Sequence, residues 1–258
     1  MTDILYQVAD GIGQITINRP DSRNALKRAM YTEIARLCRE IPGDGSVRVL
    51  ILRGAGDRAF AAGTDMTEFR GFSEPQDALD YEEQMDQVLR DIEQCKVPTI
   101  AAITGACTGG GAAISAACDI RLCDTRLKWG FPIARTLGNC LSIGNLSRLS
   151  ALVGQGRLRE ILFTARLIEA DEALQVGLVA EVLDSAEAVH ARARALAGTL
   201  TAHAPLTMRA TKEAMRRLRT QGPDADDSDL VTLCYMSQDF KMGMEAFLAK
   251  QKPDWQGK

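Results

Sequence analysis

Val97-Pro98-Thr99-Ile100-Ala101-Ala102-Ile103-Thr104-Gly105-Ala106-Cys107-Thr108-Gly109-Gly110-Gly111-Ala112-Ala113-Ile114-Ser115-Ala116-Ala117-Cys118 runs for 22 residues without a charge. That length invites a membrane helix. Pro98, Gly105 and the triplet Gly109-Gly110-Gly111 interrupt it, however, and it carries three threonines and a serine. A buried strand over 99–103, a glycine turn and a short buried helix ending before Asp119 fit those interruptions better. A helix that opens on glycines presents its first N–H groups outward, with the positive end of its dipole behind them, ready for developing negative charge.

The flanks of this run extend the pattern. On its N-terminal side, 4–8 and 14–18 read as the two strands of a hairpin around Gly11, 25–40 as a helix and 47–52 as a largely buried strand. Residues 54–63 form a loop rich in glycine and alanine, followed by a helix over 76–95 with Met85, Val88, Leu89 and Ile92 on one face. Residues 120–123 read as a further strand. Strands alternating with helices imply right-handed crossovers and a largely parallel α/β core. Beyond about 141 the pattern is helical, with pieces near 145–153, 155–164, 170–176, 186–202, 205–220 and 227–250, and a polar turn at 221–227. The expected division is a core over 1–195 and a helical region over 196–258.

Composition narrows the function. The 258 residues are 46% hydrophobic and 25% charged, with 31 Lys and Arg against 34 Asp and Glu, values of a soluble globular protein with enough chain for a sizeable core. Without surplus basic charge, nucleic acid is not the expected partner. Seven scattered cysteines, no C-x-x-C pair and only His190 and His203 argue against a zinc site or a disulfide framework. No metal is expected, and the thiols read as buried and reduced in a cytoplasmic chain. Met1-Thr2-Asp3-Ile4 has no basic start leading into an apolar run, so no signal peptide is expected.

The familiar catalytic motifs are missing: no G-x-G-x-x-G, no G-x-x-x-x-G-K-[ST] and no G-x-S-x-G occurs. Chemistry must then rest on backbone groups and a carboxylate. Two segments offer backbone groups, namely Ala59-Phe60-Ala61-Ala62-Gly63-Thr64-Asp65-Met66 after the strand 47–52, and Gly105 to Gly111 at the start of the buried helix. Each alone is also what an ordinary turn looks like. Two amides converging on one oxygen would form an oxyanion hole, where losing one donor commonly costs roughly 2.7–4 kcal/mol.

Taken together, Asn18-Arg19-Pro20, Asn24-Ala25-Leu26, Phe60-Ala61-Ala62-Gly63-Thr64-Asp65-Met66, Gly105-x-x-x-Gly109-Gly110-Gly111 and Cys118-Asp119-Ile120-Arg121 closely resemble the enoyl-CoA hydratase/isomerase (crotonase) superfamily. Glu245 to Pro253 is similar to the closing segment of that family. The resemblance implies an α/β fold, a crotonase-like spiral of ββα units with a helical C-terminal region, assembled as a homotrimer or homohexamer. It also implies an acyl-CoA thioester substrate, with no cofactor beyond its CoA moiety. By resemblance, the amides of Thr64 and Gly110 hold the thioester oxygen and stabilise an enolate. Arg23 lies where a basic residue approaches the CoA phosphates, the backbones of Ala61, Ala62 and Asp65 line adenine and pantetheine, and Phe247 and Lys250 approach CoA, in some members from a neighbouring subunit. Arg23 and Lys250 read equally as solvated surface charges.

Two departures stand against that pattern. Family hydratases carry a pair of glutamates, and the corresponding positions in this chain are Ala113 and Ile133. General acid–base catalysis typically supplies roughly 10²–10⁴-fold, so efficient hydration by two glutamates is not expected. Asn139, Cys140 and Ser142 stand where some isomerases have an aspartate, and Glu68 is a remote alternative acid. Arg135 could clasp a substrate carboxylate or pair with an acid of a neighbouring helix or subunit. Three readings follow: a lyase or isomerase working through a thioester enolate (a carboxyacyl-CoA decarboxylase among its variants), a non-catalytic acyl-CoA-binding homologue, and, least supported, an RNA-binding relative.

Overall fold

Two largely parallel sheets share a repeated ββ unit, which three times in succession gives one strand to each. The computed structural model describes residues 2–258, and Met1 lies outside them. The elements run β1 (Ile4–Ala9), β2 (Ile12–Ile17), α1 (Arg28–Arg39), β3 (Val49–Gly54), β4 (Ala59–Ala61), α2 (Pro75–Glu93), β5 (Thr99–Ile103), β6 (Ala106–Thr108), α3 (Gly110–Ala117), β7 (Ile120–Asp124) and β8 (Lys128–Gly130). There follow α4 (Ile133–Thr136), α5 (Ile143–Val153), α6 (Gln155–Thr164), α7 (Ala170–Gln175), β9 (Glu181–Leu183), α8 (Ala186–Thr201), α9 (Pro205–Gln221), α10 (Ser228–Tyr235) and α11 (Gln238–Leu248).

The six-stranded sheet has the order β1-β2-β3-β5-β7-β9 and the three-stranded sheet the order β4-β6-β8. Among the described strands only the β1–β2 hairpin pairs antiparallel, and the other strand pairs are parallel. Thus β3–β4, β5–β6 and β7–β8 are successive ββ units, each followed by a helix, which is the expected α/β spiral. The central strands are buried on both faces and read as continuous apolar runs. Along them, Leu50, Leu52, Ala101 and Ile103 point to the core shared with α1, α2 and α3. Val49, Ile51, Ile100 and Ala102 point to a second layer against Val189, Ala193 and Ala197 of α8. That i, i+4, i+8 stripe of small residues lets α8 lie close to the sheet.

The uncharged run resolves as β5, β6 and α3, and no helix of the described residues is long and apolar enough to cross a membrane. Arg121 is buried and satisfies the end of α3, donating from Nη1 to the Cys118 carbonyl at 2.6 Å and from Nε to the Leu178 carbonyl at 2.7 Å. Asp119 Oδ2 accepts from the Thr99 N–H and hydroxyl. The Cys118-Asp119-Ile120-Arg121 segment therefore ties β5, α3 and β7 together.

Other expectations shift. Helix α8 runs unbroken across the expected boundary at 195 and packs on the large sheet. The single helix expected over 227–250 is two, because the Ser237 side chain accepts from the Phe240 N–H and starts α11 afresh. Cys38, Cys95, Cys107, Cys118 and Cys123 are buried free thiols, whereas Cys140 is exposed in the α4–α5 connection and Cys234 is partly exposed.

Candidate active site

The loop after β4 is held by main-chain pairing that leaves one residue facing the other way. Leu26 N–H donates to the Gly63 carbonyl and Asp65 N–H to the Leu26 carbonyl, both at 2.8 Å. In a parallel bridge of this kind Leu26 makes both bonds, so the N–H of the residue opposite it, Thr64, is directed away. Asn24 secures the same loop, donating to the carbonyls of Ala55 and Ala59 and accepting from the Arg19 N–H. Asp65 caps the turn after it and pairs with Arg19 at 3.0 Å; its hydrogen bonds from Thr67, and then Arg19, hold its carboxyl at about 2.

The glycine triplet opens α3 for three separate reasons. Gly109 has φ +52° and ψ −119°, outside the regions open to L side chains. A Cβ on Gly111 would stand 2.3 Å from the Ala61 carbonyl oxygen. At Gly110 the space of a Cβ is taken by the Tyr31 phenol. As the first residue of α3, Gly110 has an N–H with no intrahelical acceptor. Among the described residues neither Thr64 N–H nor Gly110 N–H donates to a protein acceptor.

Both residues line one cavity of about 420 Å³, within the usual size of small-molecule sites. Its walls are largely apolar: Met85, Val88 and Leu89 from α2, Phe131 and Ile133 around the start of α4, and Leu137 and Leu141 beyond it. Over Thr64 lies a chain of hydroxyls, with Tyr31 Oη 2.9 Å and Tyr81 Oη 3.0 Å from Thr64 Oγ1. Three hydroxyl protons serve two hydrogen bonds, so one proton remains for a further acceptor. Burial raises both phenols above their ordinary range, which keeps them protonated. Phe69 and Phe72 pack edge-on against Tyr81 with centroids 5.0 and 5.9 Å away.

Of the residues singled out in the sequence, Thr64, Gly110 and Ala62 meet at this cavity. Ala61 has no exposed surface and its carbonyl packs behind Gly111, so it supports the site from beneath and has nothing with which to meet a ligand. The Asp65 carboxylate is engaged as described, and Arg23 is exposed on the preceding turn, its carbonyl accepting the Ala62 N–H. Phe247 and Lys250 lie at the end of α11 and do not line the cavity of their own chain. Ala113 and Ile133 do line it, and neither side chain can move a proton. Asn139 also lines it. Ser142 instead donates to Asp86 Oδ1 at 2.7 Å, and Glu68 is not part of the wall. Arg135 is exposed: Ile133, Thr136 and Leu137 form the face of α4 toward the cavity, which puts Arg135 on the other.

Besides Tyr31 and Tyr81, two polar cavity residues were missed in the sequence. Glu82 stands on the wall beside Tyr81. It falls in phase with Met85, Leu89 and Ile92 at i, i+3, i+7 and i+10, so a carboxylate inside that apolar stripe was the available signal. Asn145 on α5 is the other; it is buried, and its side-chain oxygen has no protein partner.

Comparison with known proteins bears on this site. Residues 7–258 match the family model described as enoyl-CoA hydratase/isomerase. The chain is 32% identical over 255 residues to a short-chain-enoyl-CoA hydratase of Clostridium acetobutylicum, covering 98% of this chain and 97% of that protein. It is 29% identical over 261 residues to the 2,3-dehydroadipyl-CoA hydratase of Escherichia coli, covering all of both. Among solved structures, an enoyl-CoA hydratase/carnithine racemase from Magnetospirillum magneticum superposes with a TM-score of 0.90 at 34% identity, covering 100% of this chain and 97% of that one.

Proposed function

The chain belongs to the enoyl-CoA hydratase/isomerase family, and from that premise we propose that it is an acyl-CoA enzyme working through a thioester enolate held by Thr64 N–H and Gly110 N–H. The observation that carries this reading is the pair of unpartnered amides lining one apolar cavity. Donors fixed in advance need no reorganisation as charge moves onto the thioester oxygen, and in a water-poor cavity they act strongly. The spare proton of the Tyr31–Thr64–Tyr81 hydroxyls adds positive edge to the same corner.

The wall favours a neutral acyl chain. Among the described residues lining the cavity none is Lys, Arg or His, so a second carboxylate on the substrate would enter without a counterion. That weakens the carboxyacyl-CoA reading, together with the exposed place of Arg135. Efficient hydration by the paired-glutamate route is not part of the proposal, because Ala113 and Ile133 offer no acid or base.

Arg23 and the Ala62 backbone are proposed to approach CoA from one chain, and Phe247 and Lys250 from a neighbouring copy. Met236, Phe247 and Leu248 are among the large apolar residues left exposed on and between α10 and α11, which supports a trimer or hexamer that covers them. Light scattering on the purified chain tests the assembly, with a monomer as the refuting result.

For the ligand, calorimetric titration with acetoacetyl-CoA, read together with growth of the enolate absorbance, tests the reading directly. Saturable heat with enolate growth is expected. No heat and no absorbance change would overturn it.

A further inference from the structure

We propose that Glu82 is the carboxylate that carries a proton between two carbons of the bound acyl chain, so that the reaction is a shift of a carbon–carbon double bond. This deepens the proposed function and rests on the thioester being held at Thr64 and Gly110.

Glu82 is the only carboxylate among the described residues that line the cavity. Its neighbour Tyr81 bonds Thr64 Oγ1 at 3.0 Å, which sets the start of that stretch of α2 beside one of the two amide donors. Among the described residues it makes no ion pair and no side-chain hydrogen bond, unlike Asp77, Asp86 and Asp91 on the same helix. A half-buried carboxylate with no partner, set in an apolar stripe, is costly to the fold. Nothing in the packing of α2 calls for it, since Met85 and Leu89 continue the same stripe with ordinary apolar side chains. Burial, and then the charge of Asp86, raises its affinity for a proton, which suits a group that must take up a proton and release it. The unpartnered Asn145 oxygen in the same wall marks a second place where a ligand or its water has a donor to offer.

The cavity holds one carboxylate, and a double-bond shift needs only one. With a β,γ-unsaturated acyl thioester, Glu82 takes a proton from the carbon beside the carbonyl. The C–H electron pair becomes the new carbon–carbon bond of the enolate, and the negative charge on the thioester oxygen meets the Thr64 and Gly110 N–H groups. The Glu82 carboxylic acid then gives its proton to the γ-carbon, the carbonyl re-forms, and the double bond lies between the α- and β-carbons. No water, oxidant or second acid enters the balance. Addition of water would need a second group to activate it, and the neighbouring wall at Ala113 and Ile133 is aliphatic.

The test uses the full chain with β,γ-hexenoyl-CoA as substrate and hexanoyl-CoA as binding probe. The wild type is expected to bind hexanoyl-CoA and to raise the conjugated enoyl-thioester absorbance. Glu82→Gln is expected to lower kcat by about 10²–10⁴-fold, with hexanoyl-CoA affinity and KM within a few fold and an undiminished melting temperature. Glu82→Asp should keep part of the rate, and the rise of kcat with pH expected of the wild type should vanish in Glu82→Gln. A wild-type rate in a folded Glu82→Gln, or a wild type that binds hexanoyl-CoA yet neither shifts the double bond nor exchanges the α-proton with D₂O, overturns the role of Glu82 and leaves the acyl-CoA reading standing. A wild type that binds no acyl-CoA overturns both.

Discussion

The phenol oxygen of Tyr31 would lie 1.6 Å from a Cβ on Gly110, with its ring carbon Cζ at 2.8 Å. Tyr31 is buried on α1 and anchored to Thr64 Oγ1 at 2.9 Å. One side chain thus spaces the two segments that bring Thr64 and Gly110 to the cavity. Gly110→Ala keeps the N–H but forces Tyr31 out of place, and overpacking of this kind costs about 1–3 kcal/mol or more. In a Tyr31→Phe background the nearest clash is gone, so the same change should cost at least about 1 kcal/mol less. Urea unfolding of the four proteins measures this coupling, and additive costs would contradict the spacing role.

At Thr64 the backbone and the side chain can be separated. Thr64→Val removes Oγ1 and strands two buried phenols, for an expected loss of about 1–3 kcal/mol in unfolding free energy. The amide stays, so enolate formation from acetoacetyl-CoA should fall by no more than about tenfold, against the 10²–10³-fold expected for losing an oxyanion donor. A loss as large as that, in a folded protein, would transfer the oxyanion-holding role from the amide to the hydroxyl.

Arg135 supplies a negative control. It lies on the face of α4 away from the cavity wall formed by Ile133, Thr136 and Leu137. Arg135→Ala is expected to leave the affinity for neutral and carboxylated acyl-CoA unchanged within about twofold, as for surface charges without fixed partners. A selective loss for the carboxylated ligand, measured by calorimetry, would bring back the clasp that the sequence alone allowed.

The parts of the fold legible in the sequence are those where one local cause dominates. The strand Thr99–Ile103 matches its reading residue for residue, because Pro98 and Gly105 bracket an apolar run. The turn at Gly109-Gly110-Gly111 was legible from its glycines, and the structure gives the reason: φ is +52° at Gly109, and Gly110 and Gly111 have no room for a Cβ. The three-stranded sheet was not: Ala59–Ala61, Ala106–Thr108 and Lys128–Gly130 are three residues each, too short to show a period of two. Their partners are distant in the chain, so only closure of the spiral creates them. Glu82 escaped notice because the helix was read from its apolar residues, and a carboxylate in phase with them registers as an exception only once the stripe is known to face a cavity.

His190 gives a prediction in pH. It is half-buried on α8, its Nε2 has no partner, and burial, then the charge of Arg53, lowers it from 6.5 to about 4. Between those values the unfolded chain binds a proton that the folded chain refuses. Stability from this group is therefore complete above about pH 6.5 and drains away as the pH falls toward 4. The full shift corresponds to about 3 kcal/mol, and partial exposure of the ring brings the expected loss to roughly half of that. Asp65, held at about 2, contributes its loss only at lower pH, as its carboxyl takes up a proton below about 4. His203, the other histidine, is exposed. His190→Gln should consequently flatten the decline in unfolding free energy from pH 7 to pH 4 while changing little above pH 7. Parallel curves for the two proteins across that range would mean that the imidazole is free to take a proton in the folded chain.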